Sequence, residues 1–154
     1  MQNNLEFVNP NKLLLNEQEN AQLDVLISKV CNTFKELNIN SKDKKIMYVR
    51  NKKGTGFLGI QVGDSNELAD YLLYRYETSK KNNDIEMKTE KFVGKKIPKE
   101  IETALDSSLY NYVVGCCKSL ERQYSKDSPW YECAYLKNLK VKKKNVLQRL
   151  FGKD

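Results

Sequence analysis

The sequence predicts an α+β fold: a single compact domain in which a small, largely antiparallel sheet packs with about three helices. Two long segments carry apolar residues at helical spacing, whereas shorter segments are β-branched, aromatic or alternating. The 154 residues contain no internal repeat and no Gly/Pro-rich linker. The predicted order is α-β-β-α-β-α-(β), with the domain over residues 1–139 and a basic tail, flexible or amphipathic, over 140–154.

The first helix is predicted over residues 16–37, because Asn16 and Glu19 form a capping-box pattern ahead of regularly spaced apolar residues. Two short segments follow, at 45–50 and 56–62, which are rich in β-branched and aromatic residues. Residues 51–54 between them have turn composition and end in a glycine. This arrangement indicates a β-hairpin with a basic tip.

A second helix is expected over residues 64–79, since Asp64 and Glu67 repeat the capping pattern and Leu68, Tyr71 and Leu72 share one helical face. After a polar loop, alternation with a period of two predicts a half-exposed strand over 85–93.

A long helix is predicted to begin near Pro98, which suits a first helical turn, and to carry an apolar stripe as far as Tyr124. Beyond Pro129 the pattern weakens, and residues 130–136 are interpreted as an optional last strand. The lysine run at 140–144 then precedes a short apolar end.

Composition excludes several classes of protein. The 40% apolar content argues against a wholly disordered chain, and no apolar run approaches the roughly 20 residues that span a bilayer. The N-terminus lacks the pattern of a secretory signal, so we expect a cytoplasmic protein. The four cysteines lack paired metal-ligand spacing, which favours reduced thiols in the core.

The chain contains no histidine, which removes Ser-His and Cys-His nucleophile pairs, histidine-ligated metals and histidine bases. We therefore expect no cofactor and no metal. This composition favours a non-enzymatic protein without excluding an enzyme.

The net charge of +7 is unevenly distributed. Residues 41–60 and 125–154 each carry +5, which leaves −3 on the remainder. Clustered cations predict binding to a polyanion, so the leading hypothesis is a nucleic-acid-binding or accessory protein. The predicted phosphate contacts are Arg50, Lys52, Lys53, Lys142, Lys143 and Lys144, and the predicted stacking groups are Tyr48 and Phe57. The excess of lysine (23) over arginine (4) is typical of an AT-rich genome, such as that of a phage or mobile element.

The alternative hypothesis is a protein–protein interaction module, an inhibitor or adaptor. It would dock through the C-terminal residues Leu147, Leu150 and Phe151 or through the tyrosine-rich second helix. The C-terminal residues have three interpretations: a docked last turn, a peptide for a partner's groove, or a basic membrane anchor. The sequence does not distinguish DNA, RNA and protein as the target, and it does not indicate the oligomeric state.

A third hypothesis rests on Glu86-x-Lys88, which projects both side chains from one face of the strand. With Asp64 or Asp70 as a further acid, this resembles the divalent-metal constellation of PD-(D/E)xK nucleases. The resemblance implies acids that hold Mg²⁺ and a lysine that helps to activate water. The alternating charges of Glu86, Lys88 and Glu90 are also typical of a strand face exposed to solvent.

The glycines Gly54, Gly56 and Gly59 match the spacing of phosphate-binding loops. A strand pattern follows the third glycine where a dinucleotide site needs a helix, so a tight turn and a bulged strand explain the glycines better.

Overall fold

A computed structural model describes residues 5–9, 14–50, 54–65, 67–81 and 84–121. These residues form a five-stranded sheet and two long helices, which confirms the α+β class. The elements are β1 (Glu6–Val8), α1 (Glu17–Glu36), β2 (Lys45–Arg50), β3 (Thr55–Gln61), β4 (Tyr71–Lys81), β5 (Asp84–Val93) and α2 (Lys99–Tyr112). After α2 the chain continues as a π-helical segment, Val113–Cys117, and a last helical turn, α3 (Lys118–Leu120).

The strands lie in the order β1-β2-β3-β4-β5, with β1 parallel to β2 and every other pair antiparallel. Because successive side chains of a strand point to opposite faces, each strand contributes to two layers. One face packs against α1 and α2 and forms the main core, in which Val30, Phe34, Ile46, Leu58 and Ile101 are completely buried. The second face carries a separate apolar cluster, which contains Val49, Phe57, Leu68, Tyr71 and Leu73.

Four predicted elements are confirmed, and each has a local cause. The Asn16 side chain accepts a hydrogen bond from the Glu19 amide and the Glu19 carboxylate accepts one from the Asn16 amide, both at 2.8 Å, so the capping box starts α1. Strands β2 and β3 form the hairpin, and β5 occupies the predicted alternating segment. Helix α2 starts directly after Pro98. Cys116 and Cys117 are buried free thiols, as expected.

The predicted helix over residues 64–79 is wrong, because most of this segment is strand β4. Leu72 and Tyr76 point to the helices, whereas Tyr71 and Leu73 point to the second face, and all four are completely buried. A strand buried on both faces carries an unbroken apolar run that loses its alternation. Asp64 does not cap a helix. Its carboxylate forms an ion pair with the ammonium of Lys44 at 3.0 Å.

Strand β1 was not predicted, since three residues carry too little pattern. The optional strand over 130–136, the tail over 140–154 and the boundary at residue 139 lie outside the described residues. Within the described ranges, no helix combines the length and the apolar character needed to cross a membrane.

Candidate functional site

A buried ion pair joins the end of the hairpin to the end of the helical segment. The Nε and Nη2 atoms of Arg50 donate to the two carboxylate oxygens of Glu121, both at 2.7 Å. Arg50 is 7% exposed and Glu121 is 5% exposed. The Thr78 hydroxyl donates to Glu121 at 3.0 Å and lies 3.2 Å from the Gly54 carbonyl oxygen. These hydrogen bonds therefore join the β2–β3 hairpin, β4 and the residue that follows α3.

Strand geometry explains why these groups meet. Arg50 ends β2 with the same parity as Ile46 and Tyr48, so its side chain points to the helix side of the sheet. Thr78 has the matching parity on β4. Gly54 has a φ of 88°, a conformation that favours glycine, and its carbonyl oxygen accepts the Thr78 amide at 2.9 Å.

Beneath this ion pair, two buried tyrosines form a second polar layer. The Tyr76 hydroxyl donates to the Tyr48 hydroxyl at 2.8 Å, and the two rings are stacked with centroids 6.4 Å apart. Gly56 makes the room for this contact, since a Cβ there would lie 2.6 Å from the Tyr76 hydroxyl. Hydrogen bonding satisfies polar groups that burial would otherwise destabilise.

We call this end of the sheet the basic end and define it by Arg50, Gly54, Thr78 and Glu121. The hairpin turn begins and ends at it, because Arg50 and Gly54 flank residues 51–53. The turn between β4 and β5 lies there too, and the described chain ends there at Glu121. The cations next to these four positions in the sequence are Lys52, Lys53, Lys80, Lys81, Lys118 and Arg122. The described residues that adjoin these cation-bearing stretches in the sequence thus meet at one end of the sheet.

The predicted stacking groups do not lie on the surface. Tyr48 belongs to the main core and Phe57 to the second face, and both are 0% exposed. Neither ring can stack on a base in this conformation, because stacking requires an accessible ring face. The Arg50 guanidinium is also not available for phosphate, because it is paired with the Glu121 carboxylate.

The remaining predicted binding residues cannot be placed. Lys52 and Lys53, the run Lys142, Lys143 and Lys144, and the apolar group Leu147, Leu150 and Phe151 all lie outside the described residues.

The residues of the nuclease hypothesis do not form one site. Glu86 and Lys88 project from β5 near the basic end, where Glu86 pairs with Ser79. Asp64 follows β3 at the opposite end of the sheet. Eight residues of β4 separate these ends, which corresponds to about 26 Å at 3.3 Å per residue. Among the residues that the structure describes, no group of three His, Cys, Asp or Glu side chains is placed to hold a metal ion.

A groove of about 440 Å³ lies between α1 and α2. All its lining side chains are uncharged, although 31% of the chain is charged. The lining residues are Gln22, Val25, Leu26, Ser108, Asn111, Tyr112 and Gly115. The π-helical segment forms part of its wall, and such segments are frequent at functional sites.

The thiol of Cys116 next to this groove is not an activated nucleophile. Burial, reinforced by the nearby Glu19 carboxylate, raises the pKa of Cys116 to about 11. Its S–H group donates to the Gln22 side-chain oxygen. Burial likewise raises the pKa of Tyr112. Because the thiolate is the reactive form, this site does not favour thiol catalysis at neutral pH.

Sequence reasoning missed both the groove and the Arg50–Glu121 pair. Only Gly115, an unusual residue inside a helical pattern, marks the groove in the sequence. Arg50 and Glu121 are 71 residues apart, so no local spacing connects them. Comparisons with protein-family models, curated proteins and solved structures found no match for this chain.

Proposed function

We propose that this protein is a non-enzymatic nucleic-acid-binding or accessory protein that contacts phosphates with lysines at the basic end. The observation that carries the proposal is the contact between Arg50 and Glu121. It brings the flanks of the hairpin turn to the same end of the sheet as Glu121, the last described residue before the basic C-terminal region of the sequence. Clustered positive charge attracts a polyanion more strongly than dispersed charge.

The distribution of charge supports this location. The described residues contain 15 basic and 17 acidic side chains, whereas the remaining residues contain 12 basic and 3 acidic ones. The net positive charge therefore belongs to segments outside the described elements, above all to the hairpin turn and the residues after Glu121. Both segments adjoin the basic end in the sequence.

The burial of Tyr48, Phe57 and Arg50 narrows the mode of binding. Of the predicted phosphate and stacking contacts, the two rings and the Arg50 guanidinium are buried, so the contacts that remain are lysines. Lysine acts on phosphate as a point charge and carries no base-specific geometry. We therefore expect binding that is independent of base sequence and strongly dependent on salt.

The test is fluorescence anisotropy with labelled single-stranded DNA, double-stranded DNA and RNA of equal length over a salt series. The variant K52E/K53E should bind at least tenfold more weakly, and its log K against log salt slope should fall by about 2. Replacing Lys142, Lys143 and Lys144 with glutamate tests the tail in the same way.

The matched control is K29E/K35E, which reverses two exposed lysines on α1 away from the basic end. This control should keep most of the wild-type affinity. The proposal fails if the wild-type protein binds none of the three nucleic acids at low salt, or if the control loses as much affinity as K52E/K53E.

The protein–protein hypothesis predicts two docking surfaces, and only the C-terminal one is still a candidate. The tyrosine-rich helix does not exist, and Tyr71 and Tyr76 are buried in β4. The C-terminal residues Leu147, Leu150 and Phe151 still carry this alternative. It predicts one stoichiometric protein partner, lost on truncation after Lys144, and no affinity for nucleic acid.

A further inference from the structure

Strand β5 is an edge strand of the sheet that the described residues form, and it has an unusually regular outer side. It pairs with β4 over ten consecutive residues, from Asp84 to Val93, without a break in register. None of the other described strands pairs with its outer edge. An edge of this length presents a row of backbone donors and acceptors that can accept another strand.

The hydrogen bonding to β4 shows which groups face outward. The Gly94 amide donates to the Tyr71 carbonyl oxygen at 2.8 Å, so residue 94 forms a hydrogen-bonded pair with residue 71. Hydrogen-bonded residues alternate along an antiparallel strand. The even-numbered residues of β5 thus bond to β4, and the N–H and C=O groups of Ile85, Met87, Thr89, Lys91 and Val93 point away from it.

Two of the usual devices that block edge pairing, proline and a bulge, are absent from β5, whereas a third, charged side chains, makes up half of the strand. The strand contains neither proline nor glycine, and its continuous pairing leaves no bulge. After Asp84, its exposed charges alternate in sign along the second face: Glu86, Lys88 and Glu90. A strand whose charges all have one sign repels a copy of itself, whereas charges of alternating sign allow a register in which opposite charges of the two copies meet.

We propose that two copies of this chain join through antiparallel pairing of their β5 edges, around a two-fold axis at Thr89. In this register Lys88 of each copy lies opposite Glu90 of the other, which gives two ion pairs. Ile85 lies opposite Val93 on the helix side of the sheet. The outward N–H and C=O groups all find partners, in about ten backbone hydrogen bonds.

Neighbouring registers are less favourable because they bring like charges together. An axis at Lys88 places the two lysines opposite each other and sets Glu86 against Glu90. An axis at Glu90 places the two Glu90 carboxylates face to face. An axis at Met87 pairs Lys88 with Glu86 but sets Asp84 against Glu90. Like charges directly opposite each other destabilise a strand pair, so the charge pattern selects the axis at Thr89.

The helices leave room for this arrangement. Helix α2 lies over both β4 and β5, because Asp106 accepts a hydrogen bond from the Tyr74 hydroxyl and Glu102 accepts one from the Lys91 ammonium at 2.7 Å. In the joined sheet, two helices that each lie midway between β4 and β5 would be two strand spacings apart, about 10 Å. Packed helices need 8–10 Å between their axes, so the two α2 helices fit side by side. The inference does not depend on nucleic-acid binding.

Complementary charge variants test the interface. K88E alone opposes glutamate to glutamate across the axis, and E90K alone opposes lysine to lysine. A mixture of the two restores both ion pairs in the mixed dimer. Analytical ultracentrifugation should find a wild-type dimer, at least tenfold weaker self-association for each variant alone, and recovery in the mixture. K29E is the control and should dimerise like the wild type.

Lys88 and Glu90 lie opposite Glu77 and Arg75 within the chain, so either charge reversal could also disturb the fold. The mixture distinguishes a weakened interface from a misfolded variant. A fold defect in either variant cannot be repaired by mixing. A wild-type protein that stays monomeric at every concentration overturns the proposal, and so does a mixture that stays as monomeric as its components.

A crosslink tests the register. The two Thr89 Cα atoms should be about 5.5 Å apart, within the range for a disulfide. T89C should therefore form a covalent dimer on oxidation. T103C, at an exposed position on α2, should give no more dimer than the wild type. Equal yields from T89C and T103C would rule out the axis at Thr89.

Discussion

Replacing Glu121 with alanine removes the carboxylate that accepts two hydrogen bonds from the buried guanidinium of Arg50. Both side chains are less than one-tenth exposed, so solvent screens their attraction weakly. Removing one partner of such a pair leaves an uncompensated buried charge, which costs about 3–5 kcal/mol. We expect E121A to lower the free energy of unfolding by about this amount.

Urea denaturation followed by circular dichroism measures this change, provided that the m-value stays constant. A double-mutant cycle with R50A then isolates the coupling between the two side chains. The variant R50M/E121L replaces the pair with apolar groups and should be far closer to the wild type than E121A. A decrease in the free energy of unfolding below about 1 kcal/mol in E121A, or a coupling near zero, would show that the Arg50–Glu121 pair does not stabilise the basic end.

The other predictions concern the thiols and the glycines. With its pKa raised to about 11, Cys116 should react slowly with a thiol reagent at pH 7 and accelerate about tenfold per pH unit up to pH 10, as peptide mapping can measure. Rapid labelling of Cys116 at pH 7 in the folded protein would contradict its assigned burial. The variant G56A should lose about 1–3 kcal/mol, because its Cβ would meet the Tyr76 hydroxyl at 2.6 Å. The variant G115A is the matched control. Beyond its own helix, the nearest atom to the new Cβ would be the Gln22 Oε1 at 3.9 Å, so thermal denaturation should show a gain of about 0.5–1 kcal/mol.

The elements that sequence reasoning identified depend on neighbours within a few residues. The capping box at Asn16 and the apolar stripe of α1 are properties of consecutive turns. The hairpin depends on two adjacent strands and a short turn, and the exposed edge β5 keeps its alternation because only one of its faces is buried.

The errors arose where burial or pairing depends on distant residues. In β4, Leu72 faces the helices and Leu73 faces the second layer, so residues 71–74 have no charged side and their apolar side chains match a helical spacing by coincidence. Strand β1 forms only through parallel pairing with β2, across the whole of α1. Tyr48 and Phe57 were assigned to binding because aromatic residues beside cations are typical of nucleic-acid interfaces, whereas both are buried in the fold.

The sequence by itself determined the α+β class, the positions of α1, the hairpin, β5 and α2, and the uneven distribution of charge. The tertiary structure alone decided that Arg50 is bound to Glu121, so that both flanks of the hairpin turn and the last described residue meet at one end of the sheet. The physical reason is the range of the interactions. Periodicity and capping act over a few residues, but an ion pair across 71 residues exists only once the sheet and the helices have packed.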